Sequence, residues 1–320
     1  MSEESPESLG EIKVGEWELA SPEHELPSAR VPHFGYALLF LLIAGLLLLL
    51  SQAVVLLPLM HGGSPVAVSL KHPKLLLASE GATYVVTLAV CWFVFPLLWH
   101  RSFLAGIEWN GRKALTLAAK LIPLGILSGW TVQGISSLIS MPKTVPMDDF
   151  FKSTSDVWLV TFFGTLLAPL FEEVCFRGFL LPAFAIAFDW LGPMVRYVFQ
   201  FSVCRLRGEE PPQHFVTFRE ERSAGLAPET GNITFRSLPA VLISSLVTSA
   251  CFALLHAQQL GYTWAAVLLL GAVSILLTAV RVKTRSLACS VLVHGSYNFS
   301  VFLVLFIATG GYRHLDKVAR

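Results

Sequence analysis

The stretch YALLFLLIAGLLLLLSQAVVLL, from Tyr36 to Leu57, runs for 22 residues without a charged side chain. About 20 apolar residues are enough for an α-helix to cross the hydrocarbon core of a bilayer. The stretch therefore predicts a transmembrane helix, and this prediction decides the class of fold for the whole chain.

Further apolar segments follow at residues 82–99, 114–138, 156–188, 238–256, 263–280 and 287–309. Together with the first, they predict an all-α fold, a polytopic transmembrane helix bundle with seven spans. A shorter segment at residues 191–204 is interrupted by Arg196 and predicts either an eighth span or an interfacial helix. The composition agrees, because 54% of the 320 residues are hydrophobic and only 14% are charged, against about a quarter in soluble domains.

Polar stretches divide the chain into regions. Residues 1–33 carry eight Glu against Lys13 and Arg30, which predicts a disordered acidic tail and no cleavable signal peptide. Residues 34–155 are predicted to be N-terminal transmembrane helices, residues 156–309 a membrane core, and residues 310–320 a C-terminal tail. A polar insertion at 205–236 interrupts the core, and its five Arg predict a cytoplasmic location. Within it, residues 214–218 and 232–235 predict either a small hairpin or an irregular loop.

Charge and cysteine content limit the partners of the chain. A formal net charge of +1 provides no basic field for nucleic acid, and the apolar spans predict the lipid bilayer as a partner. The five cysteines lie one per segment without C-x-x-C spacing, which is typical of small core or lipid-facing residues. The expected location is the plasma membrane, with seven crossings, a cytoplasmic N-terminus and an external C-terminus.

Three polar clusters lie within the apolar segments. Ionisable residues in transmembrane helices are costly, so they usually face the interior of the bundle and mark function. The clusters are FEEVCFRGFLLP at 171–182, with Glu172, Glu173 and Arg177, CFALLHAQQ at 251–259, with His256, and LVHGSYNF at 292–299, with His294 and Asn298.

Helical geometry relates the residues of each cluster. Glu173 and Arg177 are four residues apart and share a helix face, as do His294 and Asn298. Glu172 lies about 100° round the helix from Glu173 and faces a different neighbour. Burying each polar residue separately would cost free energy at every position, so one shared polar site is the simpler prediction.

The three clusters taken in order resemble the motifs of a known protease family. Glu-Glu-x-x-x-Arg at 172–177, Phe-x-x-x-His at 252–256 and His-x-x-x-Asn at 294–298 are similar to those of the CPBP intramembrane proteases, also called the CaaX protease and bacteriocin-processing, or abortive-infection, family. The resemblance covers roughly residues 156–309. It implies an all-helical bundle that hydrolyses peptide bonds with an activated water inside the membrane, and it implies a membrane-anchored or transmembrane protein or peptide as the partner.

The resemblance also implies a role for each matching residue. Glu172 would be the base that activates the water, aided by His256. His294 and Asn298 would polarise the scissile carbonyl or hold a metal, and Arg177 would fix Glu173.

Two questions stay open at the level of sequence. Two His and one Glu form a set that binds zinc with an open position, so Glu172, His256 and His294 predict either a zinc or other divalent metal site or a metal-free glutamate mechanism. The same buried charges also suit a membrane transporter or channel, or a non-catalytic membrane protein that binds partners. A metallo- or glutamate-type endopeptidase is the preferred interpretation.

Overall fold

The computed structural model describes residues 33–59, 73–140, 142, 148, 151, 153–210 and 237–315. The predicted acidic tail up to residue 32, most of the polar insertion and both halves of its possible hairpin lie outside the described residues. The described residues form helices and turns, with no β-strand among them, which confirms the all-α prediction.

The helices follow one another with short connections. In chain order they are α1 Phe34–Leu56, α2 Pro73–Trp99, α3 Phe103–Gly106, α4 Gly111–Thr116, α5 Ala118–Ser136, α6 Thr154–Phe162, α7 Ala168–Glu173, α8 Leu181–Arg207, α9 Leu238–Leu255, α10 Trp264–Thr284 and α11 Leu287–Ala308. Two π-helical segments, Phe163–Leu167 and Val174–Leu180, join α6 to α7 and α7 to α8.

Six helical stretches of the described chain are long and apolar enough to cross a membrane. They are Phe34–Leu59, Lys74–Trp99, Thr154–Arg207, Leu238–Leu255, Trp264–Thr284 and Leu287–Ala308. The segment predicted as a span at 114–138 contains α5, a 19-residue helix that is not among the six. Its Lys120 and Gln133 lower its hydropathy. The polytopic helix bundle is confirmed, with one apolar helix fewer than the seven predicted.

Helices α6 to α8 form one helical stretch of 54 residues. At 1.5 Å per residue this stretch is about 80 Å long, whereas the hydrocarbon core is about 30 Å thick. Residues 191–204, predicted as an eighth span or an interfacial helix, lie within α8, which runs without a break from Leu181 to Arg207. Arg205 and Arg207, the first basic residues of the predicted insertion, belong to its last turn.

Each π-helical segment ends two residues before a proline. Pro169 follows the first segment and Pro182 follows the second. A proline has no backbone N–H, and its ring clashes with the carbonyl four residues earlier, which widens the helix at that point. The Ala168 N–H bonds to the carbonyl of Phe163, five residues back, and the Leu181 N–H bonds to that of Phe176. The two prolines thus place one local distortion on each side of the Glu172-Glu173 pair.

Helix α11 packs closely against α5 through small residues. Gly125 and Gly129 of α5 form a G-x-x-x-G pattern, which lets two helix backbones approach each other in a membrane. A Cβ atom at Gly125 would lie 2.5 Å from the carbonyl oxygen of Val293 and 2.7 Å from the Cβ of Ser296. At Gly129 it would overlap the hydroxyl of Ser300. The position of α11 thus depends on two residues that lack side chains.

The N-terminal helices also contact the later helices through aromatic and polar residues. The Phe179 ring, in the second π segment, lies 4.5 Å from that of Phe40 in α1 and 4.9 Å from that of Phe95 in α2, measured between ring centroids. Farther along, the Glu108 carboxylate pairs with Arg281 of α10 at 2.6 Å. The Glu108 carbonyl accepts the Leu287 N–H at the start of α11. The N-terminal half therefore holds the segments on which the polar clusters lie.

Replacing Gly125 with Ala is predicted to destabilise the bundle. The new methyl group would overlap the α11 backbone, and overpacking of this kind costs about 1–3 kcal/mol. Gly134→Ala in the same helix is a matched control, because a Cβ there meets nothing within 4 Å. In one detergent, the melting temperature of Gly125→Ala should be lower than that of the wild type, and that of Gly134→Ala should be unchanged. Equal melting temperatures would contradict the close contact between α5 and α11.

Candidate active site

Glu173 and Arg177 form an ion pair with no exposed side-chain surface. The Arg177 Nη1 donates to Glu173 Oε1 at 2.9 Å along one helix face, as the four-residue spacing predicts. The same oxygen is 2.9 Å from His294 Nδ1, so the carboxylate joins this helix to α11. Burying an ion pair is favourable only if its remaining donors and acceptors are also satisfied.

Helix α10 and an aromatic ring complete the surroundings of Arg177. Its Nη2 donates to both the carbonyl and the hydroxyl of Ser274, at 2.9 and 2.6 Å, and its Nε donates to the Thr278 hydroxyl at 3.4 Å. The guanidinium carbon lies 4.9 Å from the centroid of the Phe252 ring, a cation–π contact. Arg177 therefore fixes the relative positions of α7, α9 and α10.

Each histidine uses its Nδ1 atom to bond away from Glu172. His256, the first residue after α9, is 2.7 Å from the Phe252 carbonyl through Nδ1. A carbonyl only accepts, so the hydrogen is assigned to Nδ1, and the carboxylate of Glu173 supports the same assignment for His294. The Nε2 atom of each neutral ring is then the free acceptor.

Both Nε2 atoms lie beside one carboxylate. His256 Nε2 is 3.8 Å from Glu172 Oε1, and His294 Nε2 is 3.7 Å from Glu172 Oε2. These distances exceed those of direct hydrogen bonds, and the Glu172 side chain is 17% exposed whereas that of Glu173 is fully buried. The two adjacent glutamates therefore occupy different environments, and Glu172 is the more accessible.

Asn298 lies on the same helix as His294, and its amide contacts the first π segment. The Asn298 Nδ2 donates to the Gly164 carbonyl at 2.6 Å. That carbonyl is available because Pro169 has no N–H and the Ala168 N–H bonds to Phe163. The next carbonyl, of Thr165, faces Gly295, where a Cβ would be 3.0 Å from the oxygen. Asn298 and Gly295 thus dock α11 onto the distortion that precedes Glu172.

The side chains predicted to bind a metal are close together but are not arranged around an ion. Glu172, His256 and His294 provide donor types that suit zinc. The part of the chain that the structure describes has no group of three or more His, Cys, Asp or Glu placed to hold a metal. The donor types fit zinc and the placement does not.

Several residues around this centre escaped the sequence analysis. The sequence analysis noted Phe252 as part of a motif but gave it no role. Its ring packs 4.6 Å from the His256 ring and 5.9 Å from the His294 ring, measured between centroids. Ser274 and Thr278 carry no charge and have no spacing that points to Arg177. Glu80 and Tyr84 of α2 lie near Glu172. The sequence did not predict this, because an isolated Glu near the start of an apolar helix does not by itself indicate a site.

The fold and the polar centre together define an integral membrane protein with a glutamate–histidine site inside its helix bundle. Residues 154–300 match the model of the Rce1-like family, type II CAAX prenyl endopeptidase Rce1-like. This match runs from α6 into α11, a region that carries all three polar clusters, and it supports the CPBP and CaaX protease family that the motifs predict. Comparisons with curated proteins and with solved structures gave no significant match. The family indicates a CAAX-type protease that acts on a membrane-associated peptide.

The two glutamates are predicted to differ in their effect on stability. Glu173→Gln removes the charge that compensates Arg177, and breaking a buried pair costs about 3–5 kcal/mol. Glu172→Gln is the matched control, because Glu172 is partly exposed and has no Arg or Lys ion pair among the described residues. Thermal unfolding in one detergent should show a large loss for Glu173→Gln and a small one for Glu172→Gln. A Glu173→Gln protein as stable as the wild type would contradict the structural role of the pair.

Proposed function

We propose that this protein is an intramembrane endopeptidase that hydrolyses peptide bonds of membrane-associated proteins or peptides with a water activated by Glu172. One observation carries the proposal: both oxygens of a partly exposed glutamate face the Nε2 atoms of two histidines, at 3.7 and 3.8 Å. A space bounded by a carboxylate and two nitrogen acceptors suits a water that must lose a proton. The family match supports the hydrolysis of peptide bonds.

The proposed reaction begins with the transfer of a proton from the water to Glu172, with His256 Nε2 orienting the water. The hydroxide attacks the scissile carbonyl carbon, and charge develops on the carbonyl oxygen. Glu172 then returns the proton to the leaving nitrogen as the C–N bond breaks, which gives a carboxylic acid and an amine. Glu173 is fully buried and its Oε1 atom is bound to Arg177 and His294, so the accessible carboxylate, Glu172, carries the proton in this proposal.

Asn298 faces the scissile carbonyl in this proposal, whereas the Nε2 atom of His294, an acceptor, faces the water. One amide hydrogen of Asn298 is used by the Gly164 carbonyl, which leaves the second for the oxygen of a substrate. The bond to Gly164 holds the amide in place before substrate arrives, and a preorganised donor stabilises developing charge without reorganisation.

A metal-dependent form of the reaction would need Glu172, His256 and His294 to move from their present placement to hold the ion. Zinc held there would supply an activated water. Metal analysis and chelation separate the two forms: about one equivalent of zinc, with activity lost on its removal, selects the metal form, and full turnover by metal-free protein selects the glutamate form.

The function is tested by incubating the full chain in lipid nanodiscs with membrane-anchored peptides and identifying products by mass spectrometry. Matched peptides with and without an isoprenoid on their cysteine ask whether the substrate must be prenylated. Cleavage that depends on Glu172 supports the proposal. Absence of cleavage across both sets, with a folded protein, would overturn it.

Glu172→Gln is predicted to fold and to lose activity. The amide keeps the shape of the side chain but cannot accept the proton of the water, so we expect turnover to fall by about 10²-fold or more, the range for loss of a positioned general base. Turnover and melting temperature are measured on the same preparation. A stable Glu172→Gln protein with wild-type turnover would refute the assignment of the base.

Asn298→Leu is predicted to abolish most activity while the protein still inserts and purifies. The leucine removes both the donor for the substrate and the bond to the Gly164 carbonyl. Ser296→Ala is a control on the same helix, because the Ser296 hydroxyl bonds only to its own helix, at Leu292. Near-wild-type turnover of Asn298→Leu would show that Asn298 does not act at the site.

A further inference from the structure

Helix α2 brings a third carboxylate to the active site. The Tyr84 ring stacks flat on that of Phe171, with centroids 3.9 Å apart and an interplanar angle of 3°. Phe171 directly precedes Glu172. The Tyr84 hydroxyl donates to Glu80 Oε1 at 2.7 Å, one helical turn earlier. Helix α2 also packs on the first π segment, since a Cβ at Gly81 would meet Leu167 and Phe163 at ordinary contact distance.

Among the described residues, no Lys or Arg balances the charge of Glu80. Its carboxylate is half-buried and interacts electrostatically with Glu172 and with His256. The described residues place no Lys or Arg within ion-pair distance of Glu80, whereas Asp156 pairs with Lys74, Glu173 with Arg177 and Glu108 with Arg281. Glu80 and Glu172 are therefore neighbouring, partly buried carboxylates, and Tyr84 holds the position of the first.

A positively charged side chain of the substrate would offset the negative charge of these two carboxylates. Removing an ion from water costs several kcal/mol unless an opposite charge approaches it. A Lys or Arg side chain near the cut bond supplies such a charge when the peptide binds. Its apolar stem can also pack along the aromatic surface of Tyr84 and Phe171.

We propose that Glu80 is a specificity-determining residue that binds a Lys or Arg side chain of the substrate close to the scissile bond. The inference rests on the proposed peptidase function and adds a substrate preference to it. Glu80 lies outside residues 154–300, so this recognition would come from the N-terminal half of the chain.

The test uses peptides that differ in one charge. Lys or norleucine, which has the same stem without the ammonium group, is placed at each position flanking the cut bond of a cleaved membrane-anchored peptide. At one or more positions we expect wild-type kcat/KM to be about tenfold higher for Lys, which corresponds to about 1.4 kcal/mol. The peptide with Glu at the same position should have the lowest kcat/KM of the three.

Variants of the enzyme assign the preference to Glu80. In Glu80→Gln the ratio of Lys to norleucine should fall below about twofold, and Glu80→Asp, which keeps the charge, should restore part of it. Glu209→Gln, an exposed carboxylate after α8, is the matched control and should keep the full ratio. Tyr84→Phe keeps the stacked ring, removes the hydrogen bond to Glu80 and should lower the ratio.

Contrary results are equally defined. No preference for Lys at any position in the wild type overturns the proposal, even if Glu80→Gln does not fold. A ratio that survives Glu80→Gln also overturns it. An equal loss of turnover on every peptide, together with sensitivity to chelation, would assign Glu80 to a metal site instead.

Binding separates this proposal from the peptidase function. Affinities for the Lys and norleucine peptides are measured on Glu172→Gln and on Glu172→Gln with Glu80→Gln. A preference for Lys that depends on Glu80, without cleavage by the wild type, would leave the recognition standing and remove the peptidase. Cleavage by the wild type without a preference for Lys that depends on Glu80 would support the peptidase function and overturn the role of Glu80.

Discussion

The buried pair of Glu173 and Arg177 is the interaction on which the rest of the site depends. Arg177 has no exposed surface, and its donors meet Glu173, Ser274 and Thr278 while its face meets Phe252. Glu173 lies on α7, Phe252 lies on α9, and the two hydroxyl residues lie on adjacent turns of α10. Since an unpaired guanidinium in this position would be very costly, the arrangement of α7, α9 and α10 is fixed by the need to satisfy it.

A fixed side and an accessible side of the site follow from this pair. Glu173 is bound to Arg177 and His294, whereas the adjacent Glu172 faces the Nε2 atoms of two histidines. His256 and His294 each bond through Nδ1 to a group outside the reacting space. Such bonds on the far nitrogen orient a histidine and select its tautomer. The ring orientations are thus determined before a substrate or a metal binds.

The sequence was sufficient for contacts within one helix and insufficient for contacts between helices. The spacing of Glu173 and Arg177 predicted their ion pair, and the apolar runs predicted the helix bundle. The spacing of Asn298 placed it on the face of His294 but not against Gly164, whose carbonyl is available only because Pro169 distorts a different helix. The continuous helix through residue 207 was missed because Arg196 and Pro193 interrupt the apolar pattern without interrupting the backbone. Glu80 required the packing of α2 to be known.

Helix α11 shows why the N-terminal half matters to chemistry that lies in the later half. On one side its backbone contacts Gly125 and Gly129 of α5, and on another Gly295 contacts the carbonyl of Thr165. His294 and Asn298 lie between these contacts and make bonds of 2.9 and 2.6 Å. A displacement of about 1 Å would stretch such bonds beyond their usual length. The polar residues supply the chemistry of the site, but small residues at helix contacts determine whether that chemistry is aligned, and two of these residues lie outside the family match.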